Sequence, residues 1–138
     1  MDIRLKRAYE PASPSDGYRV LIDRLWPRGV SKARARLDAW EKDIAPSPAL
    51  RKWYGHDPDK WHEFQVRYAA ELRTASAKRV LDSLVRRARR GRVTLVYASR
   101  AGDLSDAAVL KRILNRRLVK TRQSASHPRL RRRAAASK

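Results

Sequence analysis

Charged side chains suited to holding an anion cluster in the stretch Tyr-Arg-Val-Leu-Ile-Asp-Arg-Leu-Trp-Pro-Arg-Gly, residues 18–29. A guanidinium beside a carboxylate can grip a phosphate or carboxylate, with the carboxylate fixing the guanidinium's orientation. Arg24 and Arg28 are therefore candidate anion ligands. Asp23 is a candidate orienting group, or a base where a substrate displaces its arginine. Trp26 offers a flat face for stacking. A second cluster is Arg51, Trp53, Tyr54, His56 and Asp57. Imidazole is the side chain that most readily moves protons near neutral pH, so His56 is the candidate proton shuttle. A third is Tyr97, Ser99 and Arg100, with Arg100 as an anion ligand and Tyr97 as a stacking surface. Ser99 lacks the Gly-x-Ser-x-Gly surroundings of an activated nucleophile. Each cluster also has a plainer reading. Asp23 and Arg24 can form an ion pair that stabilises a turn, a histidine after glycine is often a turn residue, and Asp57 is placed to cap a helix.

The elements around these residues explain why they would meet. Ile3 and Leu5 alternate with Arg4 and Lys6, the pattern of a strand with one wet face, over Ile3 to Tyr9. Residues 11–17 are a Pro- and Gly-bearing loop. Tyr18 to Leu25 is expected as a second strand, ended by Trp26-Pro27. Ser31 caps a helix over Lys32 to Leu37. Asp38 to Ala45 is open between helix and strand. Ser47-Pro48 starts a short helix carrying Leu50, Arg51, Trp53 and Tyr54. Asp57-Pro58 starts another, in which Trp61, Phe64, Tyr68 and Leu72 form an apolar stripe best read as core. An amphipathic helix from about Ala75 ends at Gly91. Val93 to Tyr97 is a strand apolar on both faces, hence central and parallel. Ser105 or Asp106 caps a last helix with Val109, Leu110, Ile113, Leu114 and Leu118 inward. In open α/β sheets ligands sit beyond the carboxyl ends of the strands, so parallel strands would bring Arg24 and Arg100 to one edge.

Composition narrows the partners. The 138 residues contain no cysteine, which rules out a disulfide framework and a thiolate nucleophile. His56 and His62 are six apart and His127 lies near the end, so no zinc site, other metal site or cofactor is expected. Dinucleotide and Walker motifs are absent. No apolar run reaches the length of a membrane span and no signal-peptide core is visible, so a cytoplasmic protein with no membrane partner is expected. Lys and Arg number 34 against 14 acids, a net charge of +20. Eleven basic residues and no acid follow Leu110, so more than half of the excess lies there. Arg116, Arg117, Lys120, Arg122, Arg131, Arg132 and Arg133 are thus candidates for nonspecific nucleic-acid binding. A solvated tail is the plain alternative.

Several strings in the chain resemble the YeaO-like family of bacterial proteins (DUF 488). They are Asp23 to Gly29, Ala45-Pro46-Ser47, Leu50 to Asp57 and Val93 to Ala98, and the resemblance spans roughly Ile3 to Leu118. It implies a compact α/β domain and brings no reaction with it. Many relatives carry a His-Asn pair where this chain has Leu104-Ser105, so proton transfer by that histidine has no counterpart here.

The expectation is therefore an α/β fold: a small single domain over residues 1–120, with a short, mostly parallel central sheet flanked by amphipathic helices. A disordered basic tail would follow over residues 121–138. Three functional readings stay open. One is a strand-end pocket for a small phosphate- or carboxylate-bearing ligand such as a nucleotide. Another is a non-catalytic nucleic-acid-binding protein acting through its last helix and tail. The third is a set of rim residues that only lock loops. Whether catalysis occurs is undecided by the residues.

Overall fold

The computed structural model describes residues 2–99 and 104–126, the last six as backbone alone. Among these residues four strands form one sheet in the order β1-β4-β2-β3, with every neighbouring pair parallel. The strands are β1 (Asp2–Arg7), β2 (Tyr18–Leu21), β3 (Ala39–Trp40) and β4 (Arg92–Tyr97). β4 slots between the two earlier strands, with Leu95 level with Leu5 on one side and Val20 on the other. That placement accounts for its apolar residues on both faces, since a central parallel strand has no wet side.

The helices are α1 (Lys32–Ala35), α2 (Pro48–Tyr54), α3 (Trp61–Glu71), α4 (Ala75–Arg90) and α5 (Asp106–Ser126). Ser31, Ser47 and Thr74 each accept a backbone N–H in the first turn of α1, α2 and α4, so local chemistry sets those starts. One face of the sheet, through Ile3, Val20, Leu95 and Tyr97, packs on Phe64, Tyr68, Leu81, Leu84, Leu110 and Leu114. Each such side chain contributes roughly 1.5–3 kcal/mol by leaving water. Tyr68, the largest fully buried side chain among the described residues, donates its hydroxyl to the Ile44 carbonyl, so its polar atom is satisfied.

The other face carries a smaller cluster, Ala8, Leu21 and Val96, under Trp26, Leu37 and Trp40. Beside it lies a buried ionic group. Asp16 accepts from Arg19 at 2.7 Å and from Lys6 at 3.1 Å, and the Arg19 guanidinium also donates to the Ala35 carbonyl. Thr94 donates to the Asp16 carbonyl, tying this group to the central strand.

Some boundaries differ from the sequence pattern. β2 ends at Leu21, although the Ile22 N–H still donates to the Val96 carbonyl. The Asp57-Pro58 start gives one 3-10 turn, Pro58–Lys60, before α3 begins at Trp61. The open segment 38–45 splits into β3 and a 3-10 turn, Lys42–Ile44. α5 continues to Ser126, past the point at Lys120 where the apolar pattern stops. The remaining tail, with Arg131, Arg132 and Arg133, lies outside the described residues. No helix among the described residues is long and apolar enough to cross a membrane.

Candidate functional site

Because β2 and β4 are parallel neighbours, the chain leaves both at the same edge of the sheet. Asp23 follows β2 and Ala98-Ser99 follow β4. The two exits are joined: the Asp23 carboxylate accepts from the Ala98 N–H at 2.9 Å, and the Asp23 carbonyl accepts from the Trp40 indole. The helical layer closes the space above. The last turn of α2 supplies Arg51 and Tyr54. α2 then stops in two successive left-handed residues, Gly55 (φ 53°) and His56 (φ 58°), which set His56 on the rim. A histidine in that conformation is uncommon and costs strain, and such strain collects at ligand sites. The start of α5 supplies Ser105 and Asp106. Tyr54 ties α2 to α3 by stacking on Phe64, with ring centroids 4.2 Å apart, and to the residues before α5 by donating its hydroxyl to the Leu104 carbonyl at 2.9 Å.

Together these walls enclose a cavity of about 80 Å³, room for a few waters or one small polar group. Asp23, Asp106, Arg51, His56, Ser99 and Ser105 all line it. Burial pushes the Asp106 carboxyl up, the negative charge of Asp23 adds to the push, and it titrates at about 6. Arg51 and the N–H groups of Ala107 and Asp106 pull the other way. Burial also raises Asp23, against the opposing hydrogen bond from Ala98 and the charge of Arg51. Two like charges in one small space ionise one after the other, as a coupled pair. Near pH 6 Asp106 is about half protonated, so the cavity combines carboxyl oxygens that accept, a carboxyl that can donate and one guanidinium. Among the described residues no group of three or more His, Cys, Asp or Glu is arranged to hold a metal.

The sequence-predicted residues divide sharply in space. Asp23, Arg51 and His56 come together in the cavity. Arg24 turns aside and donates to the carbonyls of Ala45 (3.2 Å) and Pro46 (3.4 Å), so its guanidinium holds the loop before α2. Trp26 lies on the opposite face of the sheet, edge-on to Trp40, with its indole N–H on the Val30 carbonyl. Arg28 is exposed in the turn after Pro27, and Tyr97 is buried in the helix-facing core. Arg100 lies outside the described residues. On α5, Arg117 pairs with Asp82 of α4 at 2.5 Å, Arg116 and Lys120 are exposed, and Arg122 belongs to the last helical turns.

Asp106 is the residue that the sequence pattern hid. Next to Ser105 at a helix start it reads as a cap, yet the capping bond is made by Ser105, which accepts from the Ala108 N–H. The available signal was its place directly after the loop of a βα unit, on the edge where Asp23 had to emerge.

Residues 2–130 match the family model described as the inactive DUF488-N3 subclade. The chain belongs to the DUF488 family. The uncharacterized protein Rv3073c of Mycobacterium tuberculosis is 45% identical over 115 residues, covering 83% of this chain and 95% of that protein. The uncharacterized protein YeaO of Escherichia coli is 41% identical over 112 residues, covering 80% of this chain and 94% of its own. No solved structure matches the chain. Leu104 and Ser105 lead into the start of α5 beside the cavity. The first offers its carbonyl to Tyr54 and the second forms part of the wall.

Proposed function

We propose that this DUF488 chain binds a small phosphate- or carboxylate-bearing ligand such as a nucleotide at the mouth of its strand-end cavity, with one polar group of the ligand entering the cavity, and holds it without turnover. The observation that carries the reading is the presence of one guanidinium and two carboxyl groups on a single small enclosed space. Arg51, exposed at the mouth, takes the anionic group. Asp23 and Asp106 accept from ligand hydroxyls or N–H groups, and burial, which raises both carboxyls, weakens their repulsion of the anion. A ligand with an anionic end and a donor end, as a nucleotide has in its phosphate and its ribose or base, satisfies both sides. His56 and Ser99 bound the space.

Binding without turnover is favoured by the matching subclade, which is described as inactive. His56, the candidate proton shuttle, sits on the exposed rim. Nucleic-acid binding would use other surfaces, on α4, α5 and the tail.

The test is a thermal-shift series with nucleoside monophosphates, nucleosides and inorganic phosphate at about pH 6.5. A ligand at one hundred times its Kd adds about 2.7 kcal/mol to stability. Stabilisation by a monophosphate, weaker stabilisation by its nucleoside, and loss of that difference in Arg51→Ala are expected. No response to any probe, or an undiminished response in Arg51→Ala, overturns the reading.

A further inference from the structure

We propose that the face formed by the carboxyl-terminal half of α4 and the outer side of α5 is a docking surface for duplex DNA. This surface is separate from the strand-end cavity. α4 ends where β4 begins, and α5 starts beyond the end of β4 and packs back along it, on β4 and β1. The last turns of α5 therefore return to the amino edge of the strands, opposite the cavity, and meet the end of α4 there.

Three shallow depressions run together along this face. One lies between the end of α4 and the start of β4, with Arg86, Arg87 and Arg90 on its walls. The second lies between α4 and α5 and is shared by Arg86, Arg89, Arg117 and Lys120. The third, along α5, again contains Arg117 and Lys120, with Arg116 beside them. Arg86 joins the first to the second, and Arg117 with Lys120 joins the second to the third. The result is one continuous basic band crossing two helices.

Its cations are not consumed internally. Arg117 is paired with Asp82 and Arg87 lies over the Tyr18 ring, but Arg86, Arg89, Arg90, Arg116 and Lys120 are exposed and make no ion pair among the described residues. Asp82 is the one acid lining the three depressions. Arg86, Arg89 and Arg90 follow the i, i+3, i+4 spacing that places them on one side of α4, and Arg116 and Lys120 do the same on α5. Unspent positive charge of one sign on a rigid two-helix support is the footprint of a polyphosphate partner.

Other features select duplex DNA. Single strands are usually held by aromatic platforms on which bases stack, and the one aromatic residue on this band, Tyr18, has its ring under Arg87. Double-stranded RNA is recognised by its shape and by combined 2′-hydroxyl and phosphate contacts, so unlabelled duplex RNA competing better than unlabelled duplex DNA would overturn the assignment to DNA. The binding would be sequence-independent and steeply salt-dependent, driven by counterion release.

The experiment uses the full chain and a fluorescent 20-base-pair duplex, with anisotropy titrations between about 50 and 200 mM salt. Circular dichroism and melting temperature confirm folding of each variant. Arg86→Ala/Arg89→Ala/Lys120→Ala removes three unpaired cations. It is expected to weaken binding by tenfold or more at 100 mM salt and to flatten the slope of log K against log salt by about 3, roughly one for each phosphate no longer neutralised. Replacing the same two arginines by lysine, with Lys120 kept, is expected to restore most of the binding, because a point charge suffices for phosphate. A full-chain Arg129→Ala/Arg131→Ala/Arg132→Ala/Arg133→Ala variant is the control for the tail. The proposal is overturned if the wild type does not bind the duplex at 50 mM salt. It is also overturned if the helix variant binds like the wild type while the tail variant does not, or if polyglutamate competes with the duplex as well as unlabelled duplex does.

Discussion

Replacing Asp106 by asparagine is expected to stabilise the protein above neutral pH and to change little in acid. The carboxyl group titrates at about 6 instead of its ordinary 3.8. That displacement is a little over two pH units, and each unit corresponds to about 1.4 kcal/mol. An ionised Asp106 therefore costs the folded state roughly 3 kcal/mol at most. The sign follows from proton binding. Between about pH 4 and pH 6 the folded chain keeps a proton that the unfolded chain has released, so stability falls as pH rises through that window and is level above it. Asparagine keeps the size and hydrogen-bonding capacity of the side chain but never ionises. Asp106→Asn should be more stable than wild type by roughly 1–3 kcal/mol at pH 8, and the two should converge near pH 4. For a domain of this length that is a rise in Tm of several degrees, readable by urea or thermal melts at the two pH values. Asp23 is the second cause of the shift, so Asp23→Asn should lower the Asp106 titration, which can be followed by carbonyl carbon NMR. An equal effect of Asp106→Asn at both pH values, or a net loss of stability at pH 8, would refute the view that a partly buried carboxyl pair shares this cavity.

Arg24→Ala should cost about 1–2 kcal/mol in a urea melt, because charge-assisted bonds to the Ala45 and Pro46 carbonyls are lost, and should leave the ligand-induced thermal shift in place. Asp16→Asn should cost about 3 kcal/mol or more, since Arg19 is left buried without its carboxylate. Burial alone would raise Asp16, but the Ser13 N–H, Lys6 and Arg19 outweigh it and hold the carboxyl below its ordinary value. Its stabilisation is therefore present above about pH 4 and lost as pH falls further, and wild type should lose stability in acid more steeply than Asp16→Asn. Gly17→Ala should destabilise by roughly 3 kcal/mol or more, seen as a lower Tm: φ is +65° and an added Cβ would lie 2.3 Å from the Arg92 carbonyl oxygen.

Where one local signal decides, the sequence was readable. Ser47-Pro48 marks the start of α2, Gly91 the end of α4, and the stripe of Phe64, Tyr68 and Leu72 does form core. Val93 to Tyr97 is central for the reason its composition gives, two buried faces. The site was readable only in part, because side-chain direction belongs to tertiary structure. Arg24 and Asp23 are neighbours, yet one faces the 45–46 carbonyls and the other the cavity. Nothing in the local string separates them. Trp26 lies on the far face, where it packs against Trp40 beside Leu37, a contact formed between segments distant in sequence. Asp106 was masked by the capping preference it shares with Ser105. α5 outlasts its apolar pattern because an established helix adds residues readily once nucleated. The basic band was visible only as charge, because the arginines of α4 and α5 are some thirty residues apart in sequence and meet through helix packing.

A structure of the protein with the most stabilising nucleoside monophosphate bound would examine the strand-end cavity most directly. The expected result is a phosphate at Arg51, with a hydroxyl or N–H of the ligand within hydrogen-bonding distance of Asp23 or Asp106. A stabilising ligand seated elsewhere, or a cavity holding only water at saturating ligand, would contradict it.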